Sequence, residues 1–337
     1  MGRNIIGIGE TVLDVIFRND NPTAAVPGGS TFNALVSLGR TIKKVSPESE
    51  IRMVTEVGDD HIGDIIVSFM EKNGICTDAV TRNKGSQSHI SMAFLDENND
   101  ARYEFYKDHA HAGLSAERVG AVEFKKDDIV LFGSYFAINP VIREHTRELL
   151  SRASASGAII YYDINFRPNH IKDLPETMGN IVENCRFSDV VRGSAEDFQF
   201  LFGTGDGREI YEKHIAPLCR NFILTRGSAP VQVFTGDGEM EFPVEQIETV
   251  STIGAGDNFN AGFVYSLISE GIRLQDLKDL GRDGRKHIDS GWWSRSLSIA
   301  TSFSAAACRS TFNYVDEDFC QLFCEIVVSE GLGDRGA

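Results

Sequence analysis

The chain has 337 residues, of which 42% are apolar and 24% are charged, and its formal net charge is −16. These values suit one large α/β domain or two smaller ones, and they exclude a largely disordered chain. The acidic charge repels nucleic acids and anionic membranes, so we expect neither as a partner.

The N-terminal segment MGRNIIGIGETVLD contains no long apolar stretch and no cleavage site, so it does not predict a signal peptide. No run of the sequence approaches the length of a transmembrane helix. We therefore expect the protein to be cytoplasmic.

The first elements alternate between strands and helices. The β-branched run NIIGIGE predicts a buried strand, and Pro27, Gly28 and Gly29 predict a turn. Apolar residues recur at helical spacing from Ser30 onward, which predicts a helix. A second strand, IRMVTEVG, precedes a helix that we expect to end at Gly74.

The segment 88–107 has a different pattern. Two alternating runs flank ENND, which predicts a β-hairpin. The side chains expected on its inner face are Ile90, Met92, Phe94, Tyr103 and Phe105. Two paired strands among βα repeats predict a small β appendage outside the main sheet.

The rest of the chain returns to strands that alternate with helices. The runs DIVLFGSY, GAIIYYDINF, VVRGS and NFILTRGS each end in a polar or glycine turn. This alternation predicts an α/β fold with a mostly parallel sheet that is covered on both faces. Ligands bind beyond the carboxyl ends of the strands in such sheets, so we expect the candidate motifs to lie there.

The segment 281–296 is basic and rich in glycine, and it contains both tryptophans. We interpret it either as a surface insertion or as a contact with a partner. The sequence does not decide between these two interpretations.

The segment TVSTIGAGDNFNAG (249–262) carries the strongest chemical signal. Gly254, Ala255 and Gly256 precede a helix predicted from about Asp257 to Ser269. The first N–H groups of a helix have no partner within it, and small residues let a phosphate approach them. Asp257 beside that phosphate could act as a general base, which is worth about 10²–10⁴ in rate, or it could serve only as an N-cap. The Walker A pattern GxxxxGK[ST] is absent.

With GAGD late in the chain, the segments PGGSTFNALVSLGR and EVGDDHIGD near its start resemble the ribokinase-like (PfkB) family of carbohydrate kinases. The resemblance covers nearly the whole chain, because it extends from GIGETVLD to the helix with Ala305–Ala307. It implies one ribokinase-like domain over residues 1–337, built as a three-layer α/β/α fold with a small β lid from about 15–26 and 88–107.

The resemblance also implies a sugar site. Asp14, Gly28, Gly29 and Asn33 match the family positions that bind sugar hydroxyls. Taken alone, Asp14 would be interpreted as a solvated loop residue and Asn33 as a helix-surface residue.

The segment DINFRP resembles the D-x-N-x-R motif of fructokinase-like and 2-keto-3-deoxygluconate kinase-like members. Asp163 and Asn165 are expected to point into the sugar cleft. Arg167 is expected to neutralise the phosphoryl group or to hold a substrate carboxylate.

The nucleotide side is implied by two further segments. Glu196 matches the glutamate that helps to position Mg²⁺, and Ser194 stands where the family has asparagine. Thr225 and Gly227 match the nucleotide loop, although Pro230 departs from it. The family often has an aspartate near a monovalent-cation site where this chain has Ser251, so we expect weak or absent activation by K⁺.

The function implied is the transfer of a phosphoryl group from ATP, with Mg²⁺, to a sugar hydroxyl. Asp257 would be the base, and Gly254, Ala255, Gly256 and Arg167 would stabilise the developing charge. The sugar would be fructose-like or a keto-deoxy sugar acid. A nucleoside kinase of the same family and a catalytically idle sugar or nucleotide sensor are the alternatives. Lid strands often pair with a second subunit, which is compatible with a homodimer through the lid.

Overall fold

The computed structural model describes residues 2–95, 101–106, 113–278 and 288–329. Its strands are β1 (Ile5–Ile8), β2 (Val12–Arg18), β3 (Asn21–Gly28), β4 (Ile51–Gly58), β5 (Ile75–Cys76), β6 (Val80–Asn83), β7 (Ile90–Leu95), β8 (Ala101–Tyr106), β9 (Ile129–Gly133), β10 (Ile159–Asp163), β11 (Val190–Ser194), β12 (Asn221–Arg226), β13 (Ala229–Thr235) and β14 (Gly238–Phe242).

The α-helices of the described ranges are α1 (Ser30–Thr41), α2 (His61–Lys72), α3 (Ala116–Ala121), α4 (Arg143–Ser156), α5 (Leu174–Phe187), α6 (Ala195–Phe202), α7 (Gly207–Ile210), α8 (Ala255–Ser269), α9 (Leu274–Leu277), α10 (Ser290–Cys308) and α11 (Glu317–Ser329). Among them, none combines the length and the apolar character needed to span a membrane.

A mostly parallel sheet forms the centre of the molecule. Its strand order is β14-β13-β12-β11-β10-β9-β1-β4-β5, with β6 also paired to β4. The pairs from β12 through β4 to β5 and β6 are parallel, and β13 and β14 add an antiparallel edge. The prediction of an α/β fold is confirmed, whereas the hairpin of β13 and β14 was not predicted.

Alternate residues of the central strands face two separate cores. In β9, Ile129 and Leu131 pack in one core, and Val130 and Phe132 pack in the other. The first core also contains apolar residues of α1, α8 and α10, and the second contains residues of α4, α5 and α6. Because both faces are covered, these strands are continuous apolar runs in the sequence.

The predicted appendage is part of a separate four-stranded sheet with the order β3-β2-β7-β8. β7 and β8 pair antiparallel, as the hairpin prediction required. The predicted tip, ENND (97–100), lies outside the described residues, and so does Lys107 at the end of the predicted segment.

Two local predictions were wrong. Pro27 and Gly28 do not form a turn but end β3, where they pair with Leu13 and Val12. The change of direction falls on Gly29 alone, whose φ of 127° suits glycine. The helix predicted from Asp257 begins two residues earlier, at Ala255, because Gly254 takes the left-handed N-cap conformation.

The interpretation of both tryptophans as a surface insertion or a partner contact was also wrong. Trp292 and Trp293 lie in the first turn of α10, and each is 1% exposed. Both rings pack at 6.0 Å from the ring of Phe263 in α8. The tryptophans are therefore core residues, while residues 281–287 of that segment lie outside the described residues.

The close contact of α8 with α10 depends on Gly262. A Cβ atom at this position would lie 2.7 Å from the Cα of Ala300 and 2.8 Å from the carbonyl oxygen of Ile299, and neither backbone atom can rotate away.

We expect Gly262→Ala to lower the free energy of unfolding by about 1–3 kcal/mol, because the two helices must move apart. Gly179→Ala is the matched control, since Gly179 is an exposed residue of α5 with open space around its Cβ position. The control should be stabilising by about 0.5–1 kcal/mol. Urea unfolding measures both, and equal midpoints for Gly262→Ala and the wild type would contradict the prediction.

Candidate active site

A cavity lies where the ends of β9 and β10 meet the small sheet and the first turn of α8. Several residues predicted from the sequence line it: Asp14, Gly29, Asn33, Asn165, Arg167, Gly254 and Asp257. They come from segments far apart in the chain, so the tertiary structure brings most of the predicted substrate side and the GAGD turn together.

The Asp257 carboxylate is buried at the N-terminus of α8 and is held by α1. Ser30 donates its hydroxyl hydrogen bond to Oδ1, and the Asn33 side-chain amide donates to Oδ2, each at 2.8 Å. Burial raises the pKa of Asp257 to about 6, although these two bonds and the charge of Arg167 lower it. The carboxylate is thus oriented, and its pKa suits a proton acceptor near neutral pH.

Asn33 has a second feature that suits a polar ligand. Its Oδ1 is buried and has no hydrogen-bond partner within the described residues. A ligand hydroxyl could donate to this atom while the amide nitrogen continues to hold Asp257.

The Asp14 carboxylate lies on β2 of the small sheet, so the expectation that every motif follows a strand of the main sheet was wrong for this residue. Burial raises the pKa of Asp14 to about 7, with a smaller contribution from the charge of Asp257. Gly28 accommodates the carboxylate, since a Cβ there would lie 1.9 Å from Asp14 Oδ2. Gly28 therefore leaves room for the Asp14 carboxylate and does not itself line the cavity.

The GAGD turn forms the N-terminus of α8, and its residues Gly254 and Asp257 line the cavity. Gly254 has a φ of 76°, and its carbonyl accepts the first helical hydrogen bond, from Asn258 N. The N–H groups of Gly256 and Asp257 precede that bond and have no acceptor within the helix. The N–H of Ala255 donates to the carbonyl of Thr252 at 3.3 Å, so it is less available than we predicted.

Two non-glycine residues after strand ends have positive φ angles beside the cavity. Asn165 has a φ of 38° and Ser134 a φ of 57°, and the Asn165 amide donates to the Ser134 hydroxyl at 2.9 Å. Non-glycine residues in this region carry strain that concentrates at functional sites. Arg167 follows on the same loop and is exposed.

Asp163 lies beneath the cavity and not on its surface, in contrast to the sequence prediction. It is 2% exposed, and its two oxygens accept hydrogen bonds from Arg192 at 2.9 Å and from Asn260 at 2.7 Å. Asn260 lies one turn after Asp257 on α8. Asp163 therefore ties β10 and β11 to the helix that carries Asp257.

The predicted nucleotide side lies at the ends of β11 and β12. The Thr225 hydroxyl accepts a hydrogen bond from Arg192 at 2.7 Å, and Gly227 turns the chain with a φ of 60°. The Ser194 hydroxyl forms a capping box with Asp197 at the start of α6, so a nucleotide contact through it would replace that cap. Glu196 is exposed on the first turn of the same helix.

Several residues of the site were missed by the sequence analysis. Ser30, Arg192, Asn260 and Asn313 bind the predicted acids directly. Arg192 lies in VVRGS, two residues before Ser194. A charged residue inside a predicted buried strand indicates a buried ion pair, so the sequence could have predicted a role for it. Asn313 lies in a loop without periodicity, so only its contacts reveal it.

The sequence of this chain is similar to those of known carbohydrate kinases. A family model described as "pfkB family carbohydrate kinase" matches residues 3–302. A fructokinase of Rhizobium leguminosarum bv. trifolii is 28% identical over 272 residues, which are 78% of this chain and 79% of that protein. A fructokinase of Vibrio alginolyticus is 26% identical over 261 residues (77% and 82%), and a 5-dehydro-2-deoxygluconokinase of Clostridium perfringens is 24% identical over 266 residues (75% and 75%).

Solved structures share the fold. A fructokinase double mutant from Vibrio cholerae, bound to fructose, ADP and potassium, has a TM-score of 0.79 at 19% identity and covers 96% of this chain and 98% of its own. An aminoimidazole riboside kinase from Salmonella enterica has a TM-score of 0.75 at 20% identity, with 96% and 100% covered. These likenesses establish a ribokinase-like α/β fold.

The Asp163–Arg192 pair should be important for stability. We expect Arg192→Met to lower the free energy of unfolding by about 3–5 kcal/mol, because it leaves a buried carboxylate without its counter-ion. Arg192→Met combined with Asp163→Asn should recover part of this loss, since the charge is then removed. Urea unfolding of both variants gives the answer, and a double mutant less stable than the single one would rule out this explanation.

Proposed function

The chain belongs to the pfkB family of carbohydrate kinases, and we propose that it transfers the γ-phosphoryl group of ATP to a hydroxyl of a fructose-like sugar or of a keto-deoxy sugar acid. The observation that carries the proposal is the position of Asp257. Its buried carboxylate is aligned by Ser30 and Asn33 at the N-terminus of α8, in one cavity with Asp14.

Asp257 is the general base of the proposed reaction. It takes the proton of the sugar hydroxyl as that oxygen forms a bond to the γ-phosphorus, and the bond from phosphorus to the bridging oxygen of ADP breaks. The N–H groups that open α8 stabilise the transferred group, and Arg167 adds a positive charge near Asp257. Helix amides suit this strongly acidic chain, because they attract phosphate without requiring a lysine.

The sugar is held on the side of Asp14. Ionised Asp14 accepts hydroxyl hydrogen bonds, and Asn33 Oδ1, Asn165 and the main chain at Gly29 supply further polar contacts. Glu10 adds a second carboxylate to the lining, and acceptor-rich walls suit a neutral polyol. A keto-deoxy sugar acid would instead place its carboxylate at Arg167.

Mg²⁺ is expected to arrive with ATP and to neutralise charge on the phosphates. Within the described ranges, no cluster of three His, Cys, Asp or Glu side chains is placed to hold a metal ion. Mg²⁺ usually keeps several waters and binds through one or two carboxylates and the substrate phosphates, so a single glutamate would be enough. Exposed Glu196 would hold it through water, while Thr225 and Gly227 face the nucleotide.

We also propose that residues 1–337 act as one kinase domain in which the small sheet is a lid. The sheet carries Asp14, Ser91 and Phe105 to the cavity, so its movement would open or close the sugar side. A homodimer would use the exposed strands of this sheet, and the cytoplasm is the compartment that we propose for an ATP-dependent reaction.

Purified protein should release ADP from ATP only when an acceptor from a sugar panel is present. Asp257→Asn should retain sugar binding and lose turnover by about 10²–10⁴-fold, because the amide accepts no proton. A coupled ADP assay over fructose, other ketoses, keto-deoxy acids and nucleosides measures this. Turnover with nucleosides alone would favour the nucleoside kinase, and binding without turnover of any acceptor would favour the sensor.

The activity should depend on pH on the acid side. The pKa of Asp257 is raised to about 6 and that of Asp14 to about 7, and both carboxylates must be ionised to accept hydrogen bonds or a proton. We therefore expect kcat/KM to fall as the pH decreases through this range. The two values belong to an interacting pair, so the profile reports apparent constants. A profile that is flat from pH 8 to about pH 5 would contradict the assignment.

Activation by K⁺ should be weak. Ser251 is buried, and its hydroxyl accepts a hydrogen bond from Ile253 N at 3.2 Å, so no charge favours a cation at this position. Replacing K⁺ by tetramethylammonium should change kcat/KM by less than about twofold. Ser251→Asp is the matched variant and should gain dependence on K⁺. A large loss in wild type without K⁺ would refute this expectation.

A further inference from the structure

A short loop between α10 and α11 packs against Asp14, α1 and the GAGD turn. Asn313, Tyr314 and Val315 are all buried. The N–H of Val315 donates to the Ser37 hydroxyl at 3.1 Å, and Arg40 donates to the Val315 carbonyl at 2.7 Å. The same guanidinium stacks over the Tyr314 ring at 4.6 Å. The loop is therefore fixed to α1.

Asn313 contacts the sugar side of the site through its side chain. Its amide nitrogen donates a hydrogen bond to Asp14 Oδ2 at 2.8 Å. An ionised carboxylate oxygen only accepts, so this bond requires the amide nitrogen of Asn313 to face the ionised form of Asp14. The bond favours the ionised form of a carboxylate whose pKa burial has raised.

Asn313 contacts the phosphate side through its main chain. Its carbonyl accepts a hydrogen bond from the Asn258 side chain at 2.9 Å, and the same amide group donates to the Gly254 carbonyl at 2.8 Å. A Cβ on Gly254 would lie 2.4 Å from the Asn313 carbonyl oxygen. The loop and the GAGD turn are thus in direct contact.

We propose that Asn313 is a positioning residue that sets Asp14 at a fixed place relative to the GAGD turn, so that a bound sugar meets the phosphoryl group in line. The inference rests on the proposed sugar kinase function and extends it to the alignment of the two substrates. Asn313 acts on the sugar through Asp14, because its side chain bonds to that carboxylate. Its main-chain carbonyl contacts the other side of the site, next to the GAGD turn.

The test compares Asn313→Asp with Asn313→Ala. Aspartate keeps the shape and the main-chain contacts but replaces the donor by an acceptor that faces Asp14. Loss of a hydrogen bond to a charged group predicts a rise of about 10- to 100-fold in the KM for the sugar in both variants, and a larger rise for Asn313→Asp. The KM for ATP should stay within about threefold, because the main-chain contacts with the GAGD turn remain.

Tyr314→Phe serves as the matched control on the same loop. It keeps the ring beside Arg40 and removes only a hydroxyl, so both KM values should equal those of the wild type. Asn313→Ser, which retains a donor on a shorter side chain, should lie between Asn313→Ala and the wild type. It also provides a measurement if Asn313→Asp does not fold.

The KM values separate a positioning role from a merely structural one. An unchanged KM for the sugar in Asn313→Ala, or equal rises for sugar and ATP together with a lower Tm, would overturn the inference. If the wild-type protein phosphorylates no acceptor in the panel, the proposed function is refuted independently of the role of Asn313. The sugar-induced Tm shift of wild type and Asn313→Ala would then still test the contact with Asp14, and equal shifts would refute it.

Discussion

The site depends on how a buried helix end is held. The first two turns of α8 carry three polar side chains, Asp257, Asn258 and Asn260, that are all buried. Asp257 bonds to α1, Asn258 bonds to both α1 and the Asn313 loop, and Asn260 bonds to Asp163 on β10. Buried polar groups must be satisfied, so these bonds restrict the helix end to one position.

This arrangement brings two buried carboxylates, those of Asp14 and Asp257, into one cavity. Asp14 and Asp257 are buried close enough for the charge of one to raise the pKa of the other. Arg192 forms a buried ion pair with Asp163, which is not among the residues that line the cavity. The charge of Asp163 still acts on Asp257, because it contributes to raising the pKa of that carboxyl. In the proposed reaction, Asp163 has a structural role, whereas Asp14 binds the sugar and Asp257 accepts the proton.

Much of this could be predicted from particular residues. The apolar runs predicted the central strands, and the glycines of GAGD marked the turn ahead of α8 because the φ of 76° at Gly254 favours a residue without a side chain. Asp257 followed from its place after this turn, whereas Asn33, Asp14 and Arg167 followed from the family resemblance. Asp163 was predicted in the cleft but lies beneath it, since the sequence does not show that Arg192 and Asn260 would occupy both of its oxygens.

The sequence by itself determined the alternation of strands and helices, the family, and which segments carry the reactive groups, because these follow from local patterns of residues. Only the tertiary structure decided which groups meet. The bond of Asn313 to Asp14 joins residues 299 positions apart, and that of Asn33 to Asp257 spans 224 positions. Such contacts depend on how the helices pack on the sheet, and no local pattern records that packing. The same holds for the two tryptophans, whose burial depends on the contact of α10 with α8.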